Sequence, residues 1–310
     1  MISSETPGVA PADCGCGGNA SAAAAAPSYI YSIGGLRLAF PSTSVEMAFA
    51  QQAGELRGLV PDSWLATEVL SQGQNLYLTR EMCWVLQIPG PTSTLSPPGV
   101  AAGASGMVDA YLMKPRSQVE LNEMVSFLQP DQSQGQRFIA VVGVKGPVAP
   151  PAVCNGLELP IVVVNQIYTF TEKAFVEHVL NSLGLPVDAS SDNYRAVLSA
   201  FQSFLQLADN GGNTPEHRAV NYLTLRYPDL YSMALEMLAG NLTGDLTAPY
   251  SFAGITTTRP EVQGNRELVD VQFHYVQRVR RQKVSWFCRV DTTGQFPFLV
   301  SPLSRFYPHP

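Results

Sequence analysis

The chain has 310 residues, of which only 14% are charged, against about 25% in an ordinary soluble domain. Hydrophobic residues make up 45%, which is enough for one large domain or two packed lobes and excludes a wholly disordered chain. The net charge of −6 argues against a general binder of nucleic acid or anionic membranes, because those partners select basic surfaces.

The low charge raises the question of a membrane segment. The two longest uncharged stretches, residues 14–36 and 82–108, are interrupted by Gly, Pro, Ser and Thr. Neither supplies the ~20 consecutive apolar residues of a spanning helix, and no apolar signal segment follows Met1. The sequence therefore predicts a cytoplasmic protein with no membrane partner and no nucleic-acid partner.

The N-terminal half predicts an arm followed by mixed strands and helices. Residues 1–27 are rich in Gly and Ala without apolar periodicity, which is typical of a flexible arm. Ser117 and Glu120 have capping-box spacing, so a helix should start there. The other predicted elements are a strand at 29–33, a turn or bulge at Gly34-Gly35, a helix from about Ser44 with capping-box spacing between Thr43 and Glu46, a helix at 62–72, a buried strand at 83–88 and a long loop at 89–107.

The rest of the chain predicts strands, then helices, then strands. The elements are buried strands at 138–144 and 159–164, helices at 171–183, 192–208, 214–227 and 230–238, and strands at 269–275 and 284–290. The apolar side chains of the last two strands lie on the same face of the sheet when their turn is centred at Val279-Arg280. A register slip of one residue would place them on opposite faces.

These elements predict the α+β class, with a mixed or antiparallel sheet, a helical middle segment and a C-terminal β-hairpin, because no regular βα repeat is present. Residues 28–310 should form one domain, in which two packed lobes at 28–183 and 184–310 are an open alternative. The sequence contains no P-loop, dinucleotide fingerprint, nucleophile elbow or zincin motif, so no nucleotide cofactor is expected.

The five cysteines are odd in number and widely spread, which argues against a disulfide framework, and a cytosol would keep their thiols reduced. Cys83 should begin a buried strand, and Cys154 lies in a rigid Pro- and Gly-containing turn. His217 follows a loop at 210–213 that is predicted to be flexible, and it falls in the first turn of a helix, where the helix dipole favours the neutral ring. If the three converge, they offer three zinc ligands and an open position. The alternatives are an inert core cysteine for Cys83 and a surface residue at the helix start for His217.

The arm and the hairpin tip carry two further candidates. Cys14-Gly15-Cys16 could bind a soft metal, form a redox pair or act as a small modifiable peptide, and the alternative is an incidental pair in a disordered tail. The cluster Arg278, Arg280, Arg281 and Lys283 is either a solvated tip or a dock for an acidic peptide segment.

Several phrases of the sequence resemble the C-terminal domain of the PatA/PatG cyanobactin maturation proteases. They are REMCWVL at 80–86, GPVAPPAVCNG at 146–156, NGGNTPEHRAVNYL at 210–223, RVD at 289–291, FPFLV at 296–300 and YIY at 29–31. The resemblance runs from about residue 28 to 307. The phrases include Cys83, Cys154 and His217, which favours a shared site for the three.

The resemblance implies a role in making ribosomally synthesised, modified cyclic peptides. The subtilisin-like protease that precedes this domain in the family has no counterpart in the sequence, so its peptidase and macrocyclase activities are not expected here. The main hypothesis is a non-catalytic accessory protein that binds precursor peptide or a pathway enzyme, with Asn155, Glu216 and Arg218 as candidate peptide contacts. The alternative is a zinc- or thiol-dependent peptide-modifying enzyme with the Cys83, Cys154 and His217 centre. A homodimer is left open.

Overall fold

The computed structural model describes residues 27–90, 106–129, 135–205, 210–239, 249–260 and 264–307. The arm predicted at 1–27, except Pro27, and most of the loop predicted at 89–107 lie outside these residues, as does Cys14-Gly15-Cys16. Within the described ranges, no helix is long and apolar enough to cross a membrane.

The N-terminal half folds around a closed barrel of five strands in the order β1-β2-β3-β5-β4. The strands are β1 (Ser28–Ala39), β2 (Cys83–Pro89), β3 (Met107–Lys114), β4 (Arg137–Val148) and β5 (Pro160–Thr171). All neighbours pair antiparallel except β3 and β5, which are parallel. Closure removes the two free edges that an open sheet would present.

The glycine pair in β1 does not end the strand, so of the two predicted alternatives, a turn or a bulge, the turn is wrong. Residues 28–34 pair with β4, and from Gly35 onward the same strand pairs with β2. A Cβ on Gly34 would lie 1.8 Å from the backbone oxygen of Gln87. The glycine is therefore needed where the strand passes from one partner to the other at close approach.

Four helices cover one side of the barrel. They are α1 (Thr43–Leu56), α2 (Leu65–Ser71), α3 (Leu76–Glu81) and α4 (Gln118–Phe127). The capping box of Ser117 and Glu120 is confirmed at the start of α4. At α1 the capping residue is Ser42, one position before the predicted Thr43, and its side chain accepts from the backbone N–H of Val45. These helices pack on buried barrel side chains such as Trp84 and Ile139.

In its described residues, the C-terminal half contains four helices and a four-stranded antiparallel sheet in the order β6-β7-β8-β9. The elements are α5 (Glu172–Ser182), α6 (Asp192–Leu205), α7 (Pro215–Arg226), α8 (Asp229–Ala239), β6 (Tyr250–Thr258), β7 (Leu268–Gln277), β8 (Lys283–Asp291) and β9 (Phe298–Phe306). One core cluster joins the outer barrel face, these helices and the sheet. Phe201 of α6 contacts Phe138 of β4 edge to face with centroids 5.4 Å apart, and Phe204 contacts Phe273 of β7 at 5.6 Å.

The register predicted for the C-terminal hairpin is confirmed. Val276 pairs with Lys283, which centres the turn at Val279-Arg280. Val271 and Cys288 face each other fully buried, as the coincidence of apolar faces requires. The α+β class is confirmed as well, and the division into lobes at residue 183 stays a prediction.

Candidate functional site

A pocket opens where the outer face of the barrel meets α5 and α7. Its floor consists of two rows of side chains across β1, β4 and β5. Tyr31 pairs with Val142, which pairs with Gln166 on the next strand. The adjacent row contributes Ala140 and Tyr168. Directly paired residues project from the same face of a sheet, so these five side chains form one surface.

The walls come from two helices and one turn. The wall residues are Phe175 and His178 of α5, Tyr222, Leu225 and Arg226 of α7, and Phe296 and Pro297 of the β8–β9 turn. The volume of this open pocket is about 330 Å³, at the low end of the ~300–1,000 Å³ typical of small-molecule sites. The pocket can therefore take a small molecule or a residue or two of a peptide, but not a folded partner.

The pocket combines aromatic walls with one exposed cation. Tyr168 and Phe296 are 50% and 54% exposed, so their rings are accessible to a ligand. The Tyr31 hydroxyl accepts a hydrogen bond from Arg226, and burial raises the pKa of Tyr31, so this hydroxyl stays protonated at neutral pH. None of the described lining residues is Asp or Glu, so the charge of Arg226 has no counter-ion within the pocket.

The loop at 210–213, predicted to be flexible, is instead buried against β1. Asn210 and Asn221 exchange amide hydrogen bonds of 2.6 and 3.1 Å. Asn221 also donates to the backbone oxygen of Tyr31 at 2.7 Å, and the Tyr31 N–H donates to the oxygen of Gly212 at 2.9 Å. Because these bonds fix α7 to β1, they place Tyr222 and Arg226 over the pocket floor.

Arg218, a predicted peptide contact, is buried and binds the backbone of the β8–β9 turn. Its side chain is only 3% exposed. The guanidinium donates to the carbonyl oxygens of Thr292 at 2.7 Å and Gln295 at 3.1 Å, and to that of Gly294. The next residue of the turn is Phe296, which lines the pocket. Arg218 therefore acts as a positioning residue for this wall.

An Arg218→Gln variant is expected to lose about 2–3 kcal/mol of unfolding free energy, because three carbonyl oxygens lose a charged donor. Denaturant unfolding monitored by tryptophan fluorescence measures the loss. Arg289→Gln is the matched control, since Arg289 forms a partly exposed ion pair with Asp270 and such pairs contribute about 0–1 kcal/mol. Equal losses in the two variants would contradict the role given to Arg218.

The other two predicted peptide contacts also lie outside the described lining of this pocket. Glu216 is half-buried and forms an ion pair with Arg259 at 2.5 Å, and this bond lowers the pKa of the Glu216 carboxyl. Asn155 is exposed in the β4–β5 loop with a φ of 53°. His217 lies in the first turn of α7, where its N–H donates to the capping oxygen of Thr214 at 3.2 Å. Glu216 and His217 are thus neighbours in the first turn of α7, whereas Asn155 lies in the β4–β5 loop.

The structure brings Cys83 and Cys154 together, but as a disulfide, with Cα atoms 5.7 Å apart. The expectation of reduced thiols is corrected, because an odd count argues against a framework of bridges and not against a single one. A bridged pair has no thiolate for zinc. No group of three or more His, Cys, Asp or Glu among the described residues could hold a metal, so the predicted three-ligand centre with His217 does not form there.

Comparison with known families identifies the chain. A family model described as PatG Domain matches residues 29–149, and one described as PatG C-terminal matches residues 188–306. Together they cover more than half of the sequence. The chain belongs to the PatG family.

A solved structure described as PatG Domain of Unknown Function has a similar fold. Its TM-score is 0.61 at 16% sequence identity, and the alignment covers 90% of this chain and 99% of that chain. At this identity the likeness shows the fold alone. No curated protein matches the sequence.

Both PatG matches contribute to the pocket. Tyr31 and Val142 of the floor lie in the first match, and Tyr222, Arg226 and Phe296 of the walls lie in the second. The sequence patterns indicated none of them as site residues, since they are spread over two strands, one helix and one turn that are distant in the chain. A usable signal was present, however, because three of the family-like phrases, at 29–31, 210–223 and 296–300, each supply one aromatic residue of the pocket.

Proposed function

We propose that this PatG-family chain is a non-catalytic accessory protein of cyanobactin-type peptide biosynthesis, and that it binds precursor peptide in the pocket between the barrel and α7. Family membership supports the pathway, since PatG domains are linked to cyanobactin biosynthesis. The observation that supports peptide binding is the pocket itself, which combines accessible aromatic rings with a helix, α7, that buried hydrogen bonds fix to β1.

The aromatic rings of the pocket suit the apolar side chains and backbone groups of a peptide. Tyr and Phe offer a large contact area at a low cost in side-chain entropy, and tyrosine hydroxyls can also bond backbone groups. Burying an exposed aromatic ring contributes about 1.5–3 kcal/mol. The free energy of burying the two rings, Tyr168 and Phe296, is not sufficient for micromolar binding by itself. The other residues that line the pocket must contribute as well.

Titration calorimetry of the full chain with a cyanobactin-type precursor peptide tests the proposal. We expect Tyr168→Ala and Phe296→Ala each to weaken binding about tenfold, since 1.4 kcal/mol corresponds to a factor of ten. Tyr77→Ala is the matched control, because Tyr77 is 57% exposed on α3 and does not line the pocket.

The control variant should bind like the unmodified chain. If the unmodified chain does not bind the precursor, or if all three variants weaken binding equally, the pocket is not the peptide site.

A further inference from the structure

The charge of Arg226 is the most specific chemical feature of the pocket. Arg226 is exposed in the last turn of α7. The ion pairs in the described part of the chain use Arg37, Arg195, Arg259, Arg266 and Arg289, and none of them uses Arg226. A guanidinium has five N–H donors, so its bond to the Tyr31 hydroxyl leaves donors for a ligand.

An apolar surface adjoins this cation. Phe175 is 5% exposed and lies in the wall, while Tyr222 and Leu225 come from the same helix as Arg226. A ligand that meets both surfaces must carry a negative group next to an apolar side chain. The C-terminal residue of a peptide has this arrangement, because its α-carboxylate and its side chain are attached to one carbon.

We infer that the pocket binds the free C-terminal carboxylate of a peptide whose last side chain is apolar, with Arg226 as the anion contact; this inference rests on the function proposed above. The carboxylate accepts two parallel bonds from the guanidinium, the geometry in which arginine and carboxylate bind most strongly. The apolar side chain packs on the rings of Phe175 and Tyr222.

The size of the pocket favours a chain end over an internal acidic residue. A volume of about 330 Å³ holds only a residue or two. An internal acidic residue would need space for the peptide backbone on both sides of it. A C-terminal residue needs space for the backbone on one side only. The α-carboxylate, with a pKa of about 3.3–3.7, is fully ionised at neutral pH.

The test uses three synthetic probes and titration calorimetry of the full chain at pH 7.5. The probes are acetyl-Ala-Ala-Val-Phe as the free acid, the same peptide with a C-terminal amide, and acetyl-Ala-Ala-Glu-Phe-amide, whose only carboxylate is internal. We expect the free acid to bind at least tenfold more tightly than either amide. In Arg226→Gln this difference should fall to less than twofold.

Arg80→Gln is the matched control, since Arg80 is likewise exposed in the last turn of a helix, α3, and lies outside the pocket lining. It should keep the full preference for the free acid. Thermal unfolding of both variants checks that the exposed substitutions leave the fold intact.

The outcomes separate this inference from the proposed function. Equal binding of acid and amide, or binding of the internal-Glu probe as tight as that of the free acid, overturns the carboxylate-end inference while peptide binding stands. Binding of the precursor without binding of any probe overturns the inference in the same way. If neither the precursor nor a probe binds, the proposed function fails as well.

Discussion

A Gly212→Ala variant should lose about 3 kcal/mol of unfolding free energy and most of its peptide affinity. Gly212 has a φ of 68°, and a Cβ there would lie 2.2 Å from the backbone oxygen of Tyr31. The backbone of Tyr31 cannot move aside as a flexible side chain can, so the 210–213 loop must move away from β1. The hydrogen bond from the Tyr31 N–H to the backbone oxygen of residue 212 is then lost. The left-handed conformation costs about 1–2 kcal/mol, and a buried group left unpaired costs about 1–3 kcal/mol.

Denaturant unfolding measures the loss, and Gly184→Ala supplies the control. Gly184 has the same φ of 68°, but nothing lies within 4 Å of its Cβ position. It should lose only the conformational part, about 1–2 kcal/mol. If the two variants lose equal unfolding free energy, the close contact with Tyr31 is not the reason that residue 212 must be glycine.

The elements that the sequence predicted well are those specified by local patterns. The β7–β8 register follows from strict alternation of buried residues on two strands joined by a short turn, so Val271 and Cys288 could be paired without knowledge of the rest. The start of α4 follows from two side chains three positions apart, Ser117 and Glu120.

The barrel and the pocket depend instead on pairings between distant segments. The parallel contact of β3 with β5 closes the barrel, and no alternation within either strand specifies it. β9 was not predicted because none of its residues is fully buried and because it contains Pro302, which weakens a strand pattern. Asn210 and Gly212 favour turns in general, so their burial against Tyr31 could not be inferred from residue type.

The cysteines illustrate the same limit. Cys83 was correctly predicted to begin a buried strand and Cys154 to lie in a tight turn. The turn contains three successive residues with positive φ, Cys154, Asn155 and Gly156. What the sequence does not contain is the folding of the β4–β5 loop over the start of β2, which places the two sulfur atoms together across a separation of 71 residues.

Removal of the Cys83–Cys154 bridge should lower the unfolding free energy by about 4 kcal/mol. Closing a loop of this length restricts the unfolded chain, and the chain-entropy relation gives a value between the ~3 kcal/mol of a short loop and the ~4.7 kcal/mol of a 100-residue one. A Cys83→Ala/Cys154→Ala variant should therefore unfold at lower denaturant concentration than the oxidised chain. Its transition should not change when reductant is added, whereas that of the oxidised chain should move to lower denaturant.

Cys288→Ala is the control for an effect of reductant on a cysteine outside the Cys83–Cys154 bridge. Burial raises the pKa of the Cys288 thiol to about 12, so it stays protonated and unreactive at neutral pH. This variant should keep the full response to reductant.

Peptide mapping of the oxidised chain under non-reducing conditions should recover the peptides of Cys83 and Cys154 joined to each other. Recovery of both as separate thiols, or an unfolding transition of the oxidised chain that ignores reductant, would mean that the two cysteines are free and would restore them as candidate metal ligands.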